Sequence, residues 1–312
     1  MSSTSHAPIA RRRFGRYDDM VSIIGIGGYH LANVKTVTES VRVVHEAIDA
    51  GINFMDNAWE YHDGESERRM GRAIADRRAS VFLMTKVCTH GRDRKVAMRQ
   101  LHESLRRLKT DYLDLWQIHE CVYDNDPERH FAAGGVVEAL EEAKAQGKVR
   151  YVGFTGHKDP GIHLQMLASD FPFDACQLPL NGFDARFRSF QARVLPELAR
   201  RRIAAIGMKS LGGDGRAIKK RAARVDDALR YAMSLPVATT VSGIDSLKVL
   251  RQNLRIARDF RPMSDTERLA YEDRLVDSAR DGRFELYKTS AEHEGDVGRA
   301  QHGFPSQDEI AM

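Results

Sequence analysis

The sequence predicts an α/β fold: a single-domain (β/α)8 TIM barrel with a C-terminal extension. Three observations carry that prediction. Short apolar runs alternate with helical periods along residues 13–262, the mark of parallel βα units. Eight such runs are present, the number a closed barrel needs. The Gly-rich fingerprint of a doubly wound open sheet, with an acidic residue ~20 positions further on, has only a partial counterpart in Gly25-Ile26-Gly27-Gly28, which opens no good helix.

Residues 1–12 begin small and Ser-rich and are expected to form a flexible tail. The predicted strands are then Val21–Ile26, Ile52–Met55, Val81–Thr85, Leu113–Ile118, Val149–Phe154, Phe173–Leu178, Ile203–Met208 and Val237–Val241. Helices fit between them. Thr36-x-x-Glu39 reads as a capping box, with Val37, Val41, Val44 and Ile48 on one face until Gly51. Ala97, Leu101, Leu105 and Leu108 form a second stripe, and Leu247, Leu250, Leu254 and Ala257 another. Gly51 and Gly147-Lys148 supply αβ turns. Gly212-Gly213-Asp214-Gly215 is expected to be a mobile loop. Pro262 closes the barrel pattern, and Ser264-x-x-Glu267 caps one more helix to about residue 280. Residues 263–312 read as that helix plus a tail packed on the barrel.

Composition narrows the function classes. In 312 residues, Lys plus Arg is 48 and Asp plus Glu is 44, a net charge of +4. So balanced a chain lacks the field of a nucleic-acid binder. No apolar run approaches the ~20 residues of a membrane span. The three cysteines, Cys88, Cys121 and Cys176, form no C-x-x-C pair, which leaves zinc ribbons and iron–sulfur clusters unsupported and suits a reducing compartment. Arg11-Arg12-Arg13 is followed by Asp18-Asp19 rather than an apolar segment, so a cytoplasmic location is expected. No metal-ligand set is found, and no feature sets an oligomeric state.

Working residues of such a barrel sit at the C-terminal ends of its strands. The second predicted strand ends in Asp56, with Tyr61 five residues later; the third ends in Lys86 and the fourth in His119. Singly, such residues are commonly a helix N-cap, a snorkelling lysine or a satisfied core histidine. Together, on three successive strand ends, they point to chemistry.

Here the sequence resembles the aldo-keto reductase superfamily. The residues that carry the resemblance are Asp49-Ala50-Gly51-Ile52-Asn53-Phe54-Met55-Asp56-Asn57-Ala58-Trp59-Glu60-Tyr61, then Gly64-Glu65-Ser66-Glu67, Met70-Gly71-Arg72-Ala73-Ile74, Thr85-Lys86-Val87 and Asp111-Tyr112-Leu113-Asp114-Leu115-Trp116-Gln117-Ile118-His119. It extends over about residues 13–262, and is nearest a bacterial branch some of whose members append a ferredoxin-like module absent here. The resemblance implies hydride transfer between a nicotinamide cofactor and an aldehyde or ketone, or the corresponding alcohol, with the catalytic set Asp56, Tyr61, Lys86 and His119. The chemistry needs these types. The reduced carbonyl oxygen must receive a proton, and a phenol has the reach but a pKa near ~10. Lys86 is expected to pull that pKa toward working pH, Asp56 to hold Lys86, and His119 to orient the carbonyl.

For the cofactor, the resemblance implies Gly27, Gly28 and Tyr29 after the first strand, Asp56, and Thr155 and Gly156 where the family has Ser-Asn. Gln177 follows, with Asn181 beyond it, then Met208, Lys209 and Leu211, and Gly243, Asp245, Gln252 and Asn253 at the adenine ribose. Met208 stands where many members stack a Tyr. Asp245 leans toward NAD(H), since Asp favours a 2′-hydroxyl over a 2′-phosphate, while the superfamily as a whole favours NADP(H); both remain open. Trp59, His62, Asp63 and His90 are expected to line the pocket, with specificity in residues 120–133, 182–190 and the tail. Two other readings stand beside the reductase: a non-catalytic nicotinamide-binding regulatory or sensor subunit on the same fold, and a glycosidase using Glu60 or Glu120 with Asp56.

Overall fold

In the computed structural model, which describes residues 7–88, 93–291, 293–301 and 303–310, the chain opens with an antiparallel hairpin, β1 (Arg11–Arg13) and β2 (Met20–Ser22). Eight parallel strands follow and close into a barrel: β3 (Ile24–Gly27), β4 (Phe54–Asp56), β5 (Phe82–Val87), β6 (Leu113–Ile118), β7 (Val149–Thr155), β8 (Ala175–Pro179), β9 (Ala204–Met208) and β10 (Thr239–Gly243), the last pairing back onto β3. The (β/α)8 architecture is therefore present in full.

The first predicted strand is two elements. Val21 belongs to the hairpin, and the barrel begins only at Ile24. The hairpin plugs the bottom of the barrel. Phe14 and Val21 are fully buried and join Phe54, Phe82, Met84, Leu115 and Ile206 in the interior cluster, with the Phe14 and Phe82 rings 4.7 Å apart. Arg12 donates to the carbonyls of Met233 at 2.7 Å and Val237 at 2.9 Å. Of the tail expected over 1–12, the described part is packed: Ile9 is buried, the Ala10 carbonyl accepts from the Ile23 N–H at 3.0 Å, and three carbonyls at the barrel base accept from Arg12.

Most other strands lie slightly toward the C-terminus of the apolar runs. Ile52, Val81, Phe173, Ile203 and Val237 are buried in the turns below the strands rather than in them. The ladders instead extend to the polar ends at Asp56, Lys86 and Thr155. Hydrophobicity marks burial, and the turn residues under a barrel are buried too.

The helical stripes pack between strands and solvent. Leu101, Leu105 and Leu108 of the helix Arg94–Leu108 are buried, each contributing roughly 1.5–3 kcal/mol. In the helix Val37–Asp49 the buried face is Ser40, Val43, Val44 and Ala47, and Thr36 accepts from the Glu39 N–H. Only that half of the expected capping box is recorded there. Both halves are made at Ser264 and Glu267, which start the helix Asp265–Ala279.

After that helix the chain runs back over the mouth of the barrel. Lys288 is fully buried and donates to Asp184 Oδ1 at 2.6 Å, to the Phe187 carbonyl at 2.8 Å and to Glu285 Oε2 at 3.1 Å. The Gly-rich loop expected to be mobile is packed against this segment: a side chain at Gly212 would meet the Phe284 carbonyl at 2.7 Å, and one at Gly213 would meet the Tyr287 ring at 3.2 Å. No helix among the described residues is long and apolar enough to cross a membrane. All three cysteines are buried, and none forms a disulfide.

Candidate active site

The parallel barrel delivers the ends of β4, β5 and β6 to one face, and with them Asp56, Lys86 and His119. Lys86 is 1% exposed. Its ammonium donates to Asp56 Oδ1, to the Asn57 carbonyl at 2.7 Å and to the Tyr61 hydroxyl at 3.3 Å. The other Asp56 oxygen accepts from Gln177 Nε2 at 2.6 Å. Tyr61 opens the 3-10 turn Tyr61–Gly64, whose His62 and Asp63 adopt left-handed φ of 51° and 53°. That turn aims the phenol back over the barrel. The Tyr61 and His119 rings meet edge to face at 5.6 Å, and Tyr29 packs on the other side of Tyr61 at 5.4 Å. His62 steadies Tyr29 by donating from Nε2 to its carbonyl at 3.0 Å.

The expected effect of Lys86 on Tyr61 is corrected by this geometry. The Tyr61 pKa lies well above its ordinary value, first through burial of the hydroxyl, then through the charges of Asp56, Glu60 and Glu120. Asp56 at contact offsets the Lys86 charge, so the residue is held as a phenol, a proton donor in waiting.

Around this set lie groups the motif reading missed. Glu60 Oε1 touches His119 Nδ1, without hydrogen-bond alignment, and Glu60 Oε2 accepts from Cys88 Sγ at 2.6 Å. Donor atoms of Glu60, His119 and Glu120 all lie within 4.8 Å of one another. Glu120 also faces His157 Nε2 at 3.7 Å and accepts from the Gly295 N–H at 3.2 Å; its neighbouring imidazoles hold its carboxyl down at about 2 against the opposing effect of burial. Burial is the main cause that lowers the Lys209 ammonium to about 8. The tail closes one wall: Glu294 accepts from Lys158, and from Arg299 Nη1 at 2.5 Å, and His293 sits edge to face with His157. Of these, Glu60 and Glu120 stand in the sequence as loose carboxylates beside the motif and Lys209 as an expected cofactor contact.

Other predicted residues fall in three places. At the barrel mouth, Thr155 is 2% exposed, and Gly156 is demanded by packing, since a Cβ there would lie 2.2 Å from the Cys121 carbonyl. That explains why the family's Asn is replaced here. Gly27 and Gly28 likewise lie against Ser242 and against Asp56 and Asn57. Asn181 braces the mouth, donating to Glu285 and to the Lys209 carbonyl, both at 3.2 Å. Met208, Lys209 and Leu211 are half-buried at the end of β9. At the end of β10, Gly243 and Asp245 are exposed, Ser246 caps the helix Leu247–Arg258, and Gln252 is exposed. Asn253 is turned inward, donating to Ser242 Oγ at 2.9 Å. Arg251 pairs with Glu46 at 2.7 Å and is taken away from the helix start. The Trp59 indole donates to Glu103 at 2.8 Å and Arg107 covers its ring. His62 and Asp63 are exposed at the rim. His90 lies outside the described residues.

The model of the aldo/keto reductase family matches residues 23–227. The chain belongs to that family. Among curated proteins, this reductase-family chain is 33% identical over 156 residues to the oxidoreductase YqkF of Bacillus subtilis, covering 46% of this chain and 48% of that protein. The chain spans about half the length of the curated relatives it matches. Among solved structures, it resembles an aldo-keto reductase from Bacillus halodurans in holo form, with a TM-score of 0.72 and 23% identity over 89% of this chain and 99% of that one. It also resembles an aldo-keto reductase from Klebsiella pneumoniae in complex with NADPH, with a TM-score of 0.69 and 24% identity over 86% of this chain and 95% of that one. At these identities the structural matches speak for the fold.

Proposed function

We propose that the protein reduces an aldehyde or ketone, or oxidises the corresponding alcohol, with a nicotinamide cofactor. The observation that carries this reading is the Tyr61 hydroxyl 3.3 Å from a buried Lys86 that is itself paired with Asp56. The site's unpaired atoms fit the cofactor. Gln177 Oε1 is buried with no hydrogen-bond partner among the described residues, and a primary carboxamide N–H is the partner such an acceptor lacks. Thr155 and Gln177 would hold that end, Met208 would lie against the ring, and Gly243, Asp245 and Gln252 would face the ribose.

When bound, the cofactor supplies the hydride that no side chain can give. This chain's own residues do the rest. His119 orients the carbonyl oxygen. Tyr61 gives its proton to that oxygen, and Lys86 stabilises the resulting phenolate while Asp56 and the Asn57 carbonyl keep the ammonium in place. In the oxidative direction the proton returns to Tyr61. The choice between NAD(H) and NADP(H) turns on Asp245, which disfavours a 2′-phosphate, against Lys248, which is exposed in the first turn of the helix Leu247–Arg258 that follows.

Replacing Tyr61 by Phe removes the proton and leaves the pocket. Turnover of a panel of small aldehydes, followed by nicotinamide absorbance, is expected to fall by about 10²–10⁴-fold. Cofactor titration by fluorescence quenching should be little changed. Full turnover in that variant sinks the assignment.

A further inference from the structure

We propose that Lys209 selects the substrate, its ammonium receiving a carboxylate borne by the aldehyde or ketone whose carbonyl meets Tyr61. The proposal rests on the carbonyl reduction read from Tyr61 and Lys86, and adds the class of compound reduced. Lys209 stands at the end of β9, half-buried, with Nζ 5.0 Å over the centre of the Tyr287 ring. It makes no hydrogen bond or ion pair among the described residues. Other cations of the mouth and the C-terminal extension are paired: Lys86 with Asp56, Lys158 and Arg299 with Glu294, Arg216 with Asp214 and Lys288 with Asp184. The Lys209 backbone is braced as well. Its φ of 54° lies in the left-handed region, which a residue with a Cβ keeps only where its surroundings demand it. Its carbonyl accepts from the Gly212 N–H at 2.9 Å and from Asn181 Nδ2 at 3.2 Å. A residue so held, with an ammonium left unpaired, fits an incoming anion.

The surroundings choose the sign of the ligand's charge and the way round it enters. Three basic side chains gather at the Tyr287 ring: Lys209, His157 after β7 with ring centroids 5.8 Å apart, and His293 of the tail at 6.1 Å. Burial, and then the Lys209 charge, holds both imidazoles toward their neutral forms. Positive charge at this ring is therefore concentrated on Lys209, whose pKa of about 8 leaves it an ammonium at neutral pH. The opposing charge is Glu120 after β6, three strands round the barrel. That carboxylate faces His157 and accepts from the Gly295 N–H at 3.2 Å, and makes no ion pair with Lys209. Asp56, Glu60 and Glu120 make the β4–β6 side of the mouth rich in carboxylates, which turn a substrate's own carboxylate away from the carbonyl end and toward β9. One end of the substrate meets Tyr61 and His119, and the charged end meets Lys209. The pyrophosphate of the cofactor is the other anion of the reaction, and the test separates the two.

The test compares acids with their own esters. In the wild-type enzyme with cofactor, kcat/KM should be about ten- to hundredfold higher for succinate semialdehyde than for its methyl ester, and likewise for para-carboxybenzaldehyde against its methyl ester. In Lys209→Met that ratio should fall to about one, chiefly through KM of the acids, and Lys209→Arg should keep most of it. A merely structural role would lower both members of each pair together and leave the ratio unchanged. A second readout needs no turnover. Benzoate, titrated calorimetrically into the cofactor-loaded enzyme, should bind the wild type and Tyr61→Phe and fail to bind Lys209→Met. Equal use of acid and ester by the wild type, or an unchanged ratio in Lys209→Met, overturns the proposal. So does benzoate that binds nowhere, or whose binding depends on Tyr61. Cofactor affinity that falls in Lys209→Met, with both members of each pair slowed alike, also overturns it and gives Lys209 to the pyrophosphate. A wild type that reduces acids and esters alike sinks this proposal alone, whereas full turnover in Tyr61→Phe sinks the reaction and leaves the benzoate result standing.

Discussion

Lys86 and Lys288 are both buried ammonium groups set against carboxylates, and they differ in how completely their surroundings are paired. Lys288 sits in the C-terminal extension with Asp184 and Glu285, all fully buried. Asp184 also accepts from the Phe190 N–H at 3.0 Å and the Gln191 N–H at 2.8 Å, and Glu285 from the Tyr287 hydroxyl at 2.5 Å and Asn181 at 3.2 Å. Lys86 is held as tightly, yet its neighbourhood keeps Gln177 Oε1 and Asn57 Nδ2 buried without hydrogen-bond partners among the described residues. A buried charge cluster that serves only the fold satisfies its polar atoms, because each orphan costs about 1–3 kcal/mol. Orphans beside a paired lysine at a strand end are the atoms to which a ligand's polar groups could bond.

Three experiments bear on that contrast. The largest effect belongs to Lys86→Met. Turnover should fall by about 10²–10⁴-fold, while unfolding in urea shows the smaller loss of stability, since Asp56 keeps its bond to Gln177. Next comes Lys288→Met, which strands two carboxylates that burial already pushes toward protonation. Stability should drop by about 3–5 kcal/mol, with turnover per folded molecule preserved. If the two variants exchanged phenotypes, the contrast would fail.

The smallest effect concerns Lys209. Its folded pKa of about 8 lies below the usual lysine value of 10.5, so between those pH values the unfolded chain binds more protons than the folded one. Stability from this residue therefore rises with pH across that window. Lys209→Met should be more stable than wild type at pH 7, and the gap should narrow by pH 10. A gap that widens instead would mean the ammonium is well paired, and would remove Lys209 from the unsatisfied mouth.

Asp56, Lys86 and His119 were legible because each combines two signals, an apolar run that forms a strand and a titratable residue at or just past its end. The N-terminal hairpin was not, because Val21 and Ile24 share one apolar stretch and hydrophobicity does not say where a strand leaves the barrel. The Gly212–Gly215 loop looked mobile for a similar reason. Two of its glycines, Gly212 and Gly213, lie against Phe284 and Tyr287, about seventy positions away.

Local pattern by itself determined the barrel, its strand order and the meeting of Asp56, Lys86 and His119 on one face, because parallel βα units close in only a few ways and put every strand's C-terminal end at the same mouth. Only the tertiary structure decided the charge state of that mouth. Whether Tyr61 is lowered by Lys86 or raised by burial and three carboxylates depends on distances of a few ångströms between residues far apart in the chain, and electrostatic energy varies with those distances and with exclusion of water rather than with spacing in sequence.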